Sequence, residues 1–326
     1  MLGNKALAGL LVAVLALAGC GQPATPGSGS EAAATLNVVA TTTLISDVVQ
    51  QVGGDRVAVA TLIPTGADAH SFDPTPQDIA RVADADLLFI NGAGYEEFLS
   101  AMLANVGGEV QVVDLSEGVA LRELAAGEGH EHEEHAEGEE HAEGEEHAEG
   151  EEHAGLDPHT WTDPNNVKYW VEAIARSLSA ADAANATSYE ANAATYTQQL
   201  TELDTWIDEQ VAQIPAENRR LVTDHAVFGY FADRYGFEQI GSVIPGFSSA
   251  AQPSAQELAE LQDQIADLSI GTIFVGDVVN PTVSQRLADD SGASVVTVLT
   301  ESVSDEAPTY IEYMRYNVER FVTALK

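Results

Sequence analysis

Basic residues are scarce: 13 Lys and Arg stand against 52 Asp and Glu in 326 residues, a formal net charge of −39. Nucleic-acid binding depends on cations that neutralise phosphates, and attraction to anionic lipid depends on the same side chains. Both are excluded as the main function, whereas drawing in cations is compatible with this charge. Cysteine is reduced to Cys20 alone, so no intrachain disulfide staples the fold. The apolar run from Ala6 to Ala18 is too short for a typical spanning helix. The His-Glu-x-x-His pattern of zinc hydrolases is missing too. An ordinary apolar fraction of 45% remains, with enough length for one large or two medium domains around a real core.

The first 19 residues read as a cleaved leader: Lys5 supplies the positive start, and the apolar run ends in Leu17-Ala18-Gly19-Cys20. This resembles the lipobox of bacterial lipoproteins, in which the cysteine is acylated and becomes the mature N-terminus. Residues 20–35, rich in Pro, Gly, Ser and Ala, then read as a flexible tether. Acyl chains contribute about 0.8 kcal/mol per buried methylene, so two or three make a stable anchor. The expected mature protein is an extracytoplasmic body tied to a membrane through Cys20.

From Leu36 onward, short apolar runs alternate with amphipathic stretches. Strands are expected at Leu36–Ala40, Val57–Ile63, Leu87–Asn91 and Val110–Leu115, with helices at Ser46–Val52, Pro76–Ala83 and Glu96–Val106. The second half repeats this grammar. Its strands are expected at Leu221–Thr223, Gln239–Val243, Thr272–Val275 and Val295–Leu299, and its helices at Phe228–Tyr235, Ala255–Asp267, Thr282–Ser291 and Pro308–Ala324. Such alternation implies parallel sheets with crossover helices. Asp163-Pro164 opens a helix to about Ser179, and residues 183–214 read as one helix without Gly or Pro, roughly 45 Å long at 1.5 Å per residue. The expectation is an α/β protein of two lobes, residues 36–182 and 215–326, joined by one long rigid helix.

Residues 127–155 are a different material, with 13 Glu, no Lys or Arg, and Ala-Glu-Gly-Glu-Glu-His three times. Like charge and periodic glycine oppose packing, so disorder is expected. His130, His132, His135, His141, His147 and His153 punctuate the insert. A six-residue spacing turns successive side chains by about 240° on a helix, so they share no face. Weak, multi-site metal binding by a flexible chain is the expectation.

Outside the insert only His70, His159 and His225 remain. Each falls at the end of an expected strand or the start of a helix, where open α/β sheets place ligands. Their settings are Gly66-Ala67-Asp68-Ala69-His70-Ser71-Phe72-Asp73-Pro74, Asp157-Pro158-His159-Thr160-Trp161 and Thr223-Asp224-His225-Ala226-Val227-Phe228. With the lipobox, the opening Val38–Thr43 and the Tyr310–Asn317 stretch, these segments resemble the metal-binding solute-binding lipoproteins of zinc and manganese ABC importers, across essentially the whole mature chain.

That resemblance implies two α/β lobes with the metal in the cleft between them, and a fourth ligand, usually Asp, after the last strand. Glu301 stands at that place, with Asp305 and Glu306 as nearby alternatives. In this family manganese binders typically carry an acidic residue where this chain has His225. Three imidazoles and a carboxylate suit Zn2+, manganese prefers more oxygen, and copper or nickel would also bind such donors. The implied function is capture of Zn2+, with Mn2+ as second choice, by a monomer that delivers it to an ABC permease. A zinc enzyme and a surface adhesin, as some members are described, are the rival readings.

Overall fold

The computed structural model describes residues 35–123 and 155–326. The leader, Cys20, nearly all of the tether and the six insert histidines lie outside the described residues. Among the described residues no helix is long and apolar enough to cross a membrane.

The first lobe carries β1 (Leu36–Ala40), β2 (Val57–Thr61), β3 (Leu87–Ile90) and β4 (Gln111–Asp114) in the order β2-β1-β3-β4. The second carries β5 (Arg220–Thr223), β6 (Glu238–Ser242), β7 (Thr272–Gly276) and β8 (Ser294–Val298) in the corresponding order β6-β5-β7-β8. Every neighbouring pair is parallel. Parallel pairing requires crossovers. In the first lobe these contain α1 (Thr43–Gly53), α2 (Pro76–Ala83) and α3 (Leu99–Leu103). After β4 come α4 (Pro164–Ala181) and α5 (Ala186–Val211), and the second lobe carries α6 (Gly229–Tyr235), α7 (Ala255–Asp267), α8 (Thr282–Ser291) and α9 (Tyr310–Leu325). The inner strands β3 and β7 are buried along their whole length, as apolar runs covered on both faces should be.

Local signals fix several boundaries. Thr75 with Asp78, and Ser254 with Glu257, form capping boxes at the starts of α2 and α7. The helix expected over Glu96–Val106 shrinks to α3 because Glu96 is turned inward. Its carboxylate accepts from Thr41 Oγ1 at 2.6 Å, Asn91 N at 2.7 Å and Gly92 N at 3.1 Å. Gly92 is required there: its φ is +80°, and a Cβ would sit 1.8 Å from Asp114 Oδ1. The long helix begins later than expected, after a 3-10 turn at Ala183–Asn185, and its 26 residues span roughly 39 Å.

Helix α5 is no free-standing rod. Tyr189, Tyr196, Leu200, Leu203, Ile207 and Val211 make one buried stripe, and the helix packs on α1, α4 and α9. One continuous core runs from β1 and β3 through α4 and α5 to Leu221, Phe274 and Phe321. The opposite face of the second sheet, with Val222, Ile273 and Val275, closes a smaller core with Leu261 and Leu287. Helix α9 returns to the first lobe, where Tyr310 N donates to Asp47 Oδ2 at 2.8 Å.

Asn317 of α9 clamps the end of β8, accepting from Leu299 N at 2.8 Å and donating to Leu299 O at 2.7 Å. Both backbone groups lie in the core. Asn317→Ala is expected to lower the unfolding free energy by about 2–4 kcal/mol, the cost of two buried groups losing their partner. Urea unfolding with an unchanged m-value measures this, and a loss below about 0.5 kcal/mol would contradict the clamp.

Candidate metal centre

His70 sits in a 3-10 turn, Ala69–Ser71, in the loop after β2. Asp68 caps that turn, with Oδ1 accepting from His70 N at 2.9 Å. His159 leads into a second 3-10 turn, Thr160–Thr162, and then α4, whose start is set by Asp163 as cap and Pro164 in the first turn. His225 follows β5 after one residue, Asp224, and Glu301 lies just beyond β8. Chain segments leaving the carboxyl ends of both sheets thus bring these four residues together.

One ring nitrogen from each of His70, His159 and His225 lies within 4.8 Å of the others, a set able to hold a metal ion. Glu301 Oε1 is 3.8 Å from His225 Nε2. Four donors around zinc at ~2.0–2.1 Å would sit about 3.4 Å apart, so this pair needs only a small contraction. His159 and His225 are fully buried, Glu301 is 3% exposed and His70 is half-buried. The Nε2 atoms of all three histidines and Glu301 Oε1 are buried without a hydrogen-bond partner. Asp305 and Glu306 are exposed, so of the three acids Glu301 is the one brought to the cluster.

The outward side of each donor is held by the protein. His159 Nδ1 lies 2.9 Å from Asp157 Oδ1, and His225 Nδ1 lies 3.2 Å from Asp224 Oδ1. An Nδ1–H donated to each carboxylate leaves the Nε2 lone pair facing the cluster, the arrangement that orients metal-binding imidazoles. Asp224 Oδ2 also accepts from Gly276 N at 2.9 Å, and Arg122 Nη1 stands 3.5 Å from Asp157 Oδ2. Glu301 Oε2 accepts from Ala69 N at 2.9 Å. The preceding carbonyl, Thr300 O, receives Trp161 Nε1 at 3.0 Å and Tyr313 OH at 2.9 Å.

These supporting residues carry no assigned role in the sequence reading. A signal was present: an acidic residue stands one or two positions before each of the three histidines, and Trp161 two after His159.

The electrostatics divide the four. Burial, then the neighbouring imidazoles of His159 and His225, push His70 down to about 3. Burial and His225 hold His159 well below its ordinary value. Burial also pulls His225 down, but the carboxylates of Asp224, Glu301 and Asp68 outweigh it, and its value ends raised. Burial lifts Glu301 to about 7 despite His225 and the Ala69 N–H.

Comparison with known proteins bears on this arrangement. Residues 38–324 match the family model described as zinc-uptake complex component A, periplasmic. The manganese-binding lipoprotein MntA of Halalkalibacterium halodurans is 32% identical over 320 residues, covering 97% of this chain and 96% of that one. MntA of Bacillus subtilis is 28% identical over 333 residues, 98% of both. Among solved structures, the periplasmic zinc binding protein TroA from Treponema pallidum superposes with a TM-score of 0.76 at 26% identity, over 89% of this chain and 99% of that one. The manganese-bound periplasmic metal binding protein from Candidatus Liberibacter asiaticus has a TM-score of 0.74 at 23% identity over 90% and 100%, a likeness of fold.

Fold and relatives define a metal-binding component of an ABC importer, a transport protein that works with a membrane permease and not an enzyme. The chain belongs to the zinc-uptake complex component A family.

In metal-free protein, histidine NMR is expected to show His70 neutral throughout pH 5–8 and His225 still protonated somewhat above pH 6.5. His70→Ala and His225→Ala spectra assign the signals against those of the insert. A His70 midpoint near 6.5 would overturn this ordering.

Proposed function

We propose that the protein captures Zn2+ outside the cytoplasm through His70, His159, His225 and Glu301 and hands it to its ABC permease. The observation that carries this reading is the set of four convergent, buried atoms without a protein partner. Each unsatisfied buried polar group costs roughly 1–3 kcal/mol, and one cation would satisfy all four. Protein groups fill every position of a four-coordinate site, which suits carriage over catalysis, where a position stays open for water.

Zinc is favoured because three of the four donors are imidazole nitrogens. The manganese reading draws support from the name of a relative 32% identical to this chain. In both, Cys20 is the lipid anchor, residues 36–182 and 215–326 are the two lobes on either side of the 183–214 segment, and the protein acts as a monomer. The insert histidines serve as weak auxiliary sites.

Competition titration against a chromophoric chelator tests the metal. Zinc is expected to bind one tight site at least about 100-fold more strongly than manganese, and His159→Ala to weaken it by at least that factor. Manganese binding as tight as zinc would reverse the assignment.

Protons compete for the same atoms. A group can donate to metal only when deprotonated, and the free protein holds protons on Glu301 up to about pH 7 and on His225 to a raised value. Binding therefore releases up to two protons below pH 7, and affinity falls as pH falls. A loss of about 100-fold between pH 7.5 and 5.5 is expected. Constant affinity between pH 8 and 5 would exclude these ligands.

A further inference from the structure

We propose that the hydrogen bond between Ser249 and Asp68 is a latch across the cleft that sets the rate of metal release. The proposal rests on the metal site assigned above. Three corners of that site are sealed: His159 and His225 are fully buried, and Glu301 nearly so. His70 is the one half-buried residue of the four, although its Nε2 is buried, and the proposed way out passes beside the loop that carries it. Releasing the ion therefore requires that loop to part from the second lobe.

Among the described residues three side-chain hydrogen bonds join this loop to the opposite lobe. Gly66 N donates to Ser302 Oγ at 3.2 Å, and Ala69 N donates to Glu301 Oε2 at 2.9 Å. Both end on the segment that supplies Glu301, so they join one donor's loop to another's. The third is of a different kind. Ser249 Oγ donates to Asp68 Oδ2 at 2.7 Å, and Ser249 lies in the loop between β6 and α7, which contributes no metal donor.

Asp68 works in both directions. Its Oδ1 caps the turn of His70 while its Oδ2 holds the opposite lobe. The loop of Ser249 is itself tied to the site, because Ala226 N, next to His225, donates to Gly246 O at 3.0 Å. The Phe247 ring packs edge-on, 6.0 Å from the ring of His159. Strain on one end of the latch thus reaches the His70 turn, and on the other the covering of His159 and His225.

Beside the latch lies a cavity of about 400 Å3, lined by Asp68 and Ser249 together with Val243, Gln252, Val279 and Asn280. None of the three histidines or Glu301 lines it. The latch pair stands on the cavity wall, so parting it frees the His70 loop to move toward that cavity. Asp68 and Ser249 are therefore positioning residues for release.

Hydroxyl-to-carboxylate bonds exceed neutral ones in strength. Full-length protein loaded with one equivalent of zinc and mixed with excess chelator in stopped flow gives the release rate. Ser249→Ala is expected to accelerate release about tenfold with the association rate within about twofold of wild type. Ser249→Thr, which keeps the hydroxyl, should restore the wild-type rate to within about twofold. Ser248→Ala is the control, since that hydroxyl accepts from Ala250 N inside the loop at 3.3 Å, and it should leave release unchanged. An unchanged rate in Ser249→Ala, or equal acceleration by Ser248→Ala, overturns the latch. Equilibrium titration of the same wild-type sample separates the two proposals, since failure to bind one tight zinc overturns the site itself.

Discussion

Four buried donor atoms, the Nε2 of three imidazoles and Glu301 Oε1, are gathered at one place without a hydrogen-bond partner among the described residues. Left alone, that arrangement is expensive, and the surrounding structure exists to enforce it. Buried carboxylates behind two of the rings fix which nitrogen points inward. Backbone donors fix the carboxylates in turn: His159 N and His225 N each bond the same acid as their own ring. The first sheet ends at one side of this cluster and the second at the other, so neither lobe can form it alone.

The carboxylates and imidazoles also set each other's charge. Burial drives the rings toward neutrality and the acids toward protonation, while their mutual attraction opposes both. His70 and His159 are both held well toward neutrality, by burial first and then by neighbouring imidazoles. His225, backed by Asp224 and facing Glu301, is the most proton-retentive. Without a bound cation the cluster thus keeps protons on one side and bare lone pairs on the other.

Much of this was legible in the sequence. Strand runs such as Leu87–Asn91 and Thr272–Val275 were plain, observed as Leu87–Ile90 and Thr272–Gly276, because inner parallel strands are uniformly apolar. Start signals marked α2 and α7 to the residue: Thr75-Pro76, with Pro at the first helical position, and the capping box of Ser254 with Glu257. Three histidines stood out because the sequence holds no others outside the insert, and Glu301 was added as what the family resemblance implies. What stayed hidden were roles decided by tertiary neighbours. Glu96 looks like a helix residue until its carboxylate is seen serving three donors in the core. Asp68 looks like one more acid in an acidic chain until Ser249, 181 positions away, is placed beside it. The long middle helix was visible, but its burial was not, because its partners α1 and α9 lie at opposite ends of the chain.

The shared core has a bearing on turnover. Since α5 and α9 join both lobes in one packed core, unfolding one lobe uncovers apolar surface of the other. Free energy gained at the seam between them is then felt by the entire chain. A bound ion stabilises the folded state by RT ln(1 + [L]/Kd), and here that increment protects every peptide bond in the body at once. By the same relation the cargo-free protein opens more often than the loaded one, and if opening exposes it to proteases, the standing amount of carrier would follow the supply of what it carries.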